Sequence, residues 1–149
     1  MKLSGVIVMS KLNAYCFTCG KQNTEGLQLN CRLEGESLVT EIVFEEKYVG
    51  YPGIVHGGIV CCVLDEVVVS HLYQLGHAAM TADLQVRFKH PIPLGERIRF
   101  SSRVETLKKR LWILSARGFL PNGEVAVTAR AKMLPARFEL KGASYDYSI

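Results

Sequence analysis

The chain lacks a long unbroken apolar run. No segment reaches the roughly 18 consecutive apolar residues of a membrane-spanning helix. The nearest, residues 59–75, is interrupted by Asp65, Glu66, Ser70 and His71, so no membrane association is expected. There is no Arg/Lys-rich run, and the net charge is only +4. Nucleic acid is therefore not an expected partner; the small excess suits an anionic small ligand as well as it suits a merely solvated basic surface. Residues Met1–Met9 are too short for a secretory leader and carry no cleavage pattern, so none is expected. Internal repeats, low-complexity tracts and linkers are also missing. The five cysteines are an odd number, and Cys61 and Cys62 fall in an apolar stretch where they behave as small hydrophobes. A reducing cytoplasm is the simplest expected location.

What remains is an ordinary globular composition, 48% hydrophobic and 21% charged over 149 residues, enough for one domain with a real core. Its most informative stretch is Gly53-Ile-Val-His56-Gly57-Gly58, followed by an apolar run that carries Asp65 and Glu66 side by side. The apolar positions Ile59, Val60, Val63, Leu64, Val67, Val68, Leu72 and Leu75 predict a helix over 57–75, with Gly76 as its stop. They cover more than one face, so the rest of the protein should wrap this helix. Two glycines at a helix start expose backbone N–H groups that can polarise a carbonyl. Carboxylates on so apolar a helix are costly unless satisfied or used, and the combination points to acyl chemistry.

Residues 27–33 and 38–44 alternate apolar and polar, and read as strands separated by Glu34-Gly35-Glu36. Four more strands are expected after the helix. Residues 82–89 place Leu84, Val86 and Phe88 on one face, and residues 97–105 do the same with Ile98, Phe100 and Val104. Residues 111–119 and 124–134 flank Pro121-Asn122-Gly123, a hairpin cue. The tail after Pro135 has no evident place. The pattern supports an α+β fold, and the economical arrangement is a curved antiparallel sheet of five or six strands around one central helix.

The order β-β-α-β-β-β-β resembles the hotdog fold. His56-Gly57-Gly58 with Asp65 nine residues after the His resembles the acyl-CoA thioesterases of the phenylacetate-pathway type and the related thioesterase superfamily members. The stretch from Thr81 through Leu84 to Pro91 is similar to that family's third strand, where Ser or Thr stands at the position of Thr81. The resemblance covers about residues 27–134. It implies a hotdog core there, with 1–26 as an N-terminal cap and 135–149 as a tail. It also implies hydrolysis of acyl-CoA or another acyl thioester, with no cofactor, in homodimers or dimers of dimers. One departure is Gly50, six residues before His56, where many such enzymes carry an Asn near the active-site water or carbonyl.

Within that resemblance each candidate has a role and a plainer alternative. Gly58, with Gly57, is expected to polarise the thioester carbonyl; the glycines could instead serve only close packing. Asp65 is the expected general base or nucleophile, against a structural hydrogen bond or ion pair. Glu66 is the backup carboxylate, about 100° round the helix, so only one of the two can face a given site. His56 orients the loop or the substrate, or is structural; Thr81 positions water, or fills the strand. Arg87, Lys89 and Arg130 are candidate partners for the phosphates of coenzyme A or a carrier-linked pantetheine, as are Lys108, Lys109 and Arg110; a solvated surface explains any one of them. From Gly58 to Asp65 is roughly 10 Å along a helix, so one helix cannot readily bring both to one carbonyl. Two subunits could, giving symmetric shared sites.

Cys16-Phe-Thr-Cys19-Gly20 stands apart. A Cys-x-x-Cys pair can be half of a zinc site, with Cys31 or a partner subunit contributing, but the chain has no second such pair and no metal is assigned. The reading is a structured cap, similar to the start of related hotdog proteins through Asn23. Two other functions compete with hydrolysis: a non-catalytic acyl-CoA binding or sensing protein, which has no need of Asp65, and a hotdog dehydratase, whose Asp and His pair on one helix is not seen. A DNA-binding regulator has no residues left for a helix-turn-helix.

Overall fold

A computed structural model describes residues 14–138 and 145–146. Met1–Met9, part of the 1–26 cap and part of the 135–149 tail lie outside the described residues. Strands β1 (Arg32–Glu34) and β2 (Ser37–Val43) are followed by a 3-10 turn at Glu46–Tyr48 and helix α1 (Gly57–Gln74). Then come β3 (Ala79–Phe88), β4 (Arg97–Lys108), β5 (Leu111–Phe119), β6 (Val125–Pro135) and a small ribbon of β7 (Arg137–Phe138) and β8 (Tyr145–Asp146). The main sheet is antiparallel in the order β1-β2-β4-β5-β6-β3. One helix lies on its concave face, which is the hotdog arrangement. No described helix is long and apolar enough to cross a membrane.

Strand alternation sets the inner face. Leu38, Ile98, Phe100, Leu114, Ala131 and Met133 are fully buried and meet Val63, Leu64, Val67, Val68 and Leu72 of α1, also fully buried. Burial of these side chains offsets the modest helix propensity of the valines. Gly76, at φ 86°, takes the left-handed conformation that ends the helix. The Asn122-Gly123 turn closes as a hairpin: Asn122 Oδ1 accepts the Glu124 N–H at 3.0 Å, and Leu120 N–H donates to Glu124 O at 2.9 Å.

Two expectations need correction. Residues 27–31 are not strand, because Gln28 sits at φ 48°. Leu27 and Leu29 are buried, but their N–H groups donate to Phe17 O and Thr18 O rather than to a sheet neighbour. The alternation there records packing beneath the Cys-x-x-Cys loop. β4 runs to Lys108 through a bulge between Val104 and Thr106. The sheet wraps α1 as expected, and among the described residues Cys61, Cys62, Asp65 and Val69 form a half-buried stripe on the helix.

His71 is 2% exposed, with Nδ1 2.9 Å from Ser102 Oγ. Ser102 gives its own proton to Val67 O at 2.8 Å, so it must accept from a neutral His71 Nδ1–H. Burial pushes His71 below its ordinary 6.5. Below about 6.5 the unfolded chain binds a proton that the folded chain refuses, so stability is full above that pH and falls as pH drops. Denaturant midpoints should therefore fall from about pH 7.5 to about pH 5, and less steeply in His71→Gln. Parallel slopes for the two proteins would refute this.

Candidate active site

The loop before α1 is held by main-chain bonds: His56 N–H to Tyr48 O at 2.8 Å, Val55 N–H to Ile92 O at 2.9 Å and Gly50 N–H to Ile54 O at 2.8 Å. This leaves His56 extended (φ −58°, ψ 130°) as the N-cap residue, and its Nδ1 accepts the Gly58 N–H at 3.0 Å. The Gly58 N–H, expected to polarise a carbonyl, is thus engaged by the His56 cap, whereas the Gly57 N–H has no partner among the described residues. Phe88, at the end of β3 and 52% exposed, comes within van der Waals reach of Gly57, its ring 3.5 Å from where a Cβ would stand. No feature of the sequence marked Phe88 as a wall of this site.

Gly50 also has a local reason. A Cβ there would lie 2.9 Å from His56 Cα and 3.3 Å from His56 N, closer than ordinary contacts allow. An Asn at this position cannot be fitted without moving the helix start. Gly50→Asn should cost about 1–3 kcal/mol of stability, as overpacking does, and should not speed turnover. Thermal melts together with steady-state rates check this; a variant of wild-type stability and higher rate would refute it.

One stripe of α1 carries the next candidate residues. Asp65 is half-buried, and Thr81 Oγ1 donates to its Oδ1 at 2.6 Å. Thr81 stands at a bulge of β3, where the register against β6 shifts between Thr81 and Asp83. Bulges re-aim side chains in this way. Burial, and then the charge of Asp65, push the neighbouring Cys62 thiol up, so a protonated thiol lies beside the carboxylate. Two concavities, one of about 720 Å³ lined by Leu33, His71, Leu75 and Ser115 and one by Glu41, Arg99 and Phe119, include neither Asp65 nor Thr81.

Glu66 is not part of this group. It is 8% exposed, and both carboxylate oxygens are engaged, one by the Thr18 hydroxyl and one by the Ser70 hydroxyl. It therefore faces the N-terminal loop, as the 100° step between neighbours on a helix requires. Of the basic candidates, Arg130 is on the outer face and paired with Glu105 at 2.9 Å. Arg87 and Lys89 are exposed and make no ion pair among the described residues; Lys89 follows the Phe88 that touches Gly57.

Proteins named acyl-coenzyme A thioesterase THEM4 are 38% identical to this chain over 61 residues in Xenopus laevis and 36% over 66 residues in Bos taurus. Those alignments cover 41% and 44% of this chain but only 28% and 27% of the relatives' own lengths. Among solved structures, a thioesterase superfamily protein is similar at 25% identity over 80% of this chain and 60% of that chain, with a TM-score of 0.76. The Escherichia coli PaaI protein from the phenylacetic acid degradation operon shares the fold at 14% identity over 85% of this chain and 92% of that one, TM-score 0.71. The family profile of the thioesterase superfamily matches residues 52–127, just over half of the 149 residues. That stretch holds the capped helix start, Asp65 and its Thr81 partner, and with them the chain belongs to the thioesterase superfamily.

Proposed function

We propose that the chain hydrolyses acyl-coenzyme A, or another pantetheine-linked acyl thioester, to free acid and thiol. The observation that carries this reading is the half-buried Asp65 carboxylate, aimed by the Thr81 hydroxyl on a stripe of α1 that its own chain leaves partly open. Asp65 takes a proton from water as the water oxygen attacks the thioester carbon. The carbonyl oxygen gains charge against the Gly57 N–H at the helix start, a donor worth roughly 3 kcal/mol in the barrier. The carbon–sulfur bond then breaks, and the thiolate leaves with the proton that Asp65 returns. Thr81 leaves the second Asp65 oxygen open to water, and the exposed Lys89 and Arg87 are available to the phosphates of the thiol-bearing half.

The two parts of the site belong to different subunits in this proposal. Gly57 and Asp65 are eight residues apart on one helix, roughly 12 Å along its axis. β3 is a ten-residue strand at the open edge of the sheet, with Leu84 and Val86 half-buried and Phe88 exposed. Edges of this length and polarity invite a second strand. A homodimer, alone or as half of a tetramer, would pair two such edges and bring one subunit's helix start toward its partner's Asp65.

The direct test is hydrolysis of short, long and aromatic acyl-CoA thioesters, followed chromatographically. Tight binding of one member with no turnover of any would make the chain a non-catalytic acyl-CoA binder instead. The shared site is tested separately by mixing two inactive variants. Gly57→Pro removes the donor N–H at the one helix position where Pro is well accepted, and the extended His56 before it suits a following Pro. Refolded together with Asp65→Asn, half the dimers should be mixed, each with one intact site, restoring about a quarter of wild-type activity. No restoration would refute the shared site.

A further inference from the structure

The N-terminal loop and the inner side of α1 build a second cluster that the thioesterase reading does not use. The Sγ atoms of Cys16 and Cys19 and a carboxylate oxygen of Glu66 all lie within 4.8 Å of one another. We propose that Cys16, Cys19 and Glu66 bind one divalent transition-metal ion of the zinc type, and that the ion fastens the N-terminal loop to the central helix. Two thiolates and one carboxylate are a donor set that selects zinc over the hard cations calcium and magnesium.

Four further observations support this reading. The Cys16-Phe-Thr-Cys19-Gly20 loop is folded as a tight turn in which the Gly20 N–H donates to Cys16 O at 2.9 Å. Gly20 is required by that closure, since a Cβ would stand 2.4 Å from Cys16 N and 2.6 Å from Cys16 O. Glu66 is buried with hydroxyl partners but no cationic one among the described residues; a buried carboxylate without a counter-charge is costly. And the Tyr73 hydroxyl, on the residue seven positions after Glu66 along the same helix, is buried without a hydrogen-bond partner among the described residues.

Thr18 completes the arrangement. Its hydroxyl contacts both Glu66 and the Cys16 sulfur, the latter at 3.1 Å, as a residue behind a metal's own ligands does when it orients them. Thiolates on a tetrahedral zinc lie roughly 3.8 Å apart, within side-chain rotation of the spread seen here. Three protein ligands leave the fourth place to a water. The ion would sit on the face of α1 that carries Glu66, about 100° round the helix from Asp65, so its role is structural.

The full-length protein, reduced and stripped with a chelator, should take up one cobalt(II) or zinc ion per chain. Cobalt should show the intense visible bands of a tetrahedral ion and a charge-transfer band from two thiolates. Zinc should raise the thermal midpoint of the wild type. Cys19→Ser and Glu66→Gln should each weaken uptake by on the order of 100-fold or more, beyond the 10- to 100-fold typical of a lost supporting contact. A Cys61→Ser control should leave it unchanged. If Cys19→Ser or Glu66→Gln fails to fold, the cobalt spectrum of the wild type still decides, because it reports the number of thiolates and the geometry directly. No stoichiometric uptake, a spectrum without two thiolates, or undiminished uptake in both ligand variants would overturn the proposal, as would a Cys16–Cys19 disulfide that persists under reducing purification.

Discussion

Asp65→Asn should lower kcat for a good acyl-CoA substrate by about 100- to 10,000-fold, the range spanned by a lost general base, with little change in KM. The amide keeps the shape of the carboxylate and can still accept the Thr81 hydroxyl, whose 2.6 Å bond to Oδ1 is then neutral rather than charge-assisted. Fold and assembly should survive, because Asp65 is half-buried and makes no ion pair among the described residues. Glu66→Gln provides the contrast. It touches a carboxylate of nearly the same sequence position, yet that carboxylate is turned toward Thr18 and Ser70, so its effect should fall on stability and metal uptake rather than on kcat. Steady-state kinetics with matched melting curves separate the two. A wild-type kcat in Asp65→Asn would remove the carboxylate from the mechanism.

The largest stability effect should come from Phe100→Ala, about 3–5 kcal/mol. Phe100 is fully buried on the inner face of β4 and meets the Phe44 ring edge-on, with centroids 6.3 Å apart. It fills the space beside Gly118, where an added Cβ would lie 2.7 Å from the Phe100 ring and 2.8 Å from a Val127 methyl. Truncating the ring loses its burial and leaves a void under the sheet that well-packed neighbours cannot collapse into. At about 2–4 °C per kcal/mol for a chain of this size, the melting midpoint should drop by roughly 6–20 °C. Gly118→Val attacks the same packing by excess volume and should cost about 1–3 kcal/mol. Calorimetry on the two variants and their combination tests the pairing. The double variant should recover part of the loss, because the valine enters the space the ring vacated; strictly additive losses would show that the two positions do not share that space.

Much of this was legible because local rules and burial agree. The apolar positions of α1 predicted 57–75 against the observed Gly57–Gln74, since a helix covered on most sides leaves few places for a polar residue. β5 was read at its observed ends, and the Asn122-Gly123 hairpin followed from turn chemistry. The strand expected at 27–33 shrank to Arg32–Glu34, because alternation reports which side chains are buried and not where the backbone hydrogen bonds go. β3 begins three residues earlier than its alternating core, at a buried Ala79 that carries no periodic signal. At the site, a family pattern marked Thr81 as a residue that could position water, but its bond to Asp65 was not legible. Nor was the partner of the Gly58 N–H, since it depends on which way the His56 imidazole turns.

The amino-acid order by itself determined the one-helix, antiparallel-sheet architecture, the glycine helix start and the presence of Asp65 on that helix. These are properties of periodicity and of residues close together in the chain. Only the tertiary structure decided what each carboxylate faces. It set Thr81 against Asp65 through a bulge in β3, gave the Gly58 N–H to His56 and left the Gly57 N–H open. It also brought Glu66, 47 residues after Cys19, to the two thiols of the N-terminal loop. The physical reason is that adjacent residues on a helix point about 100° apart. Asp65 and Glu66 therefore enter different surroundings, and those surroundings are built from segments that sequence spacing does not connect.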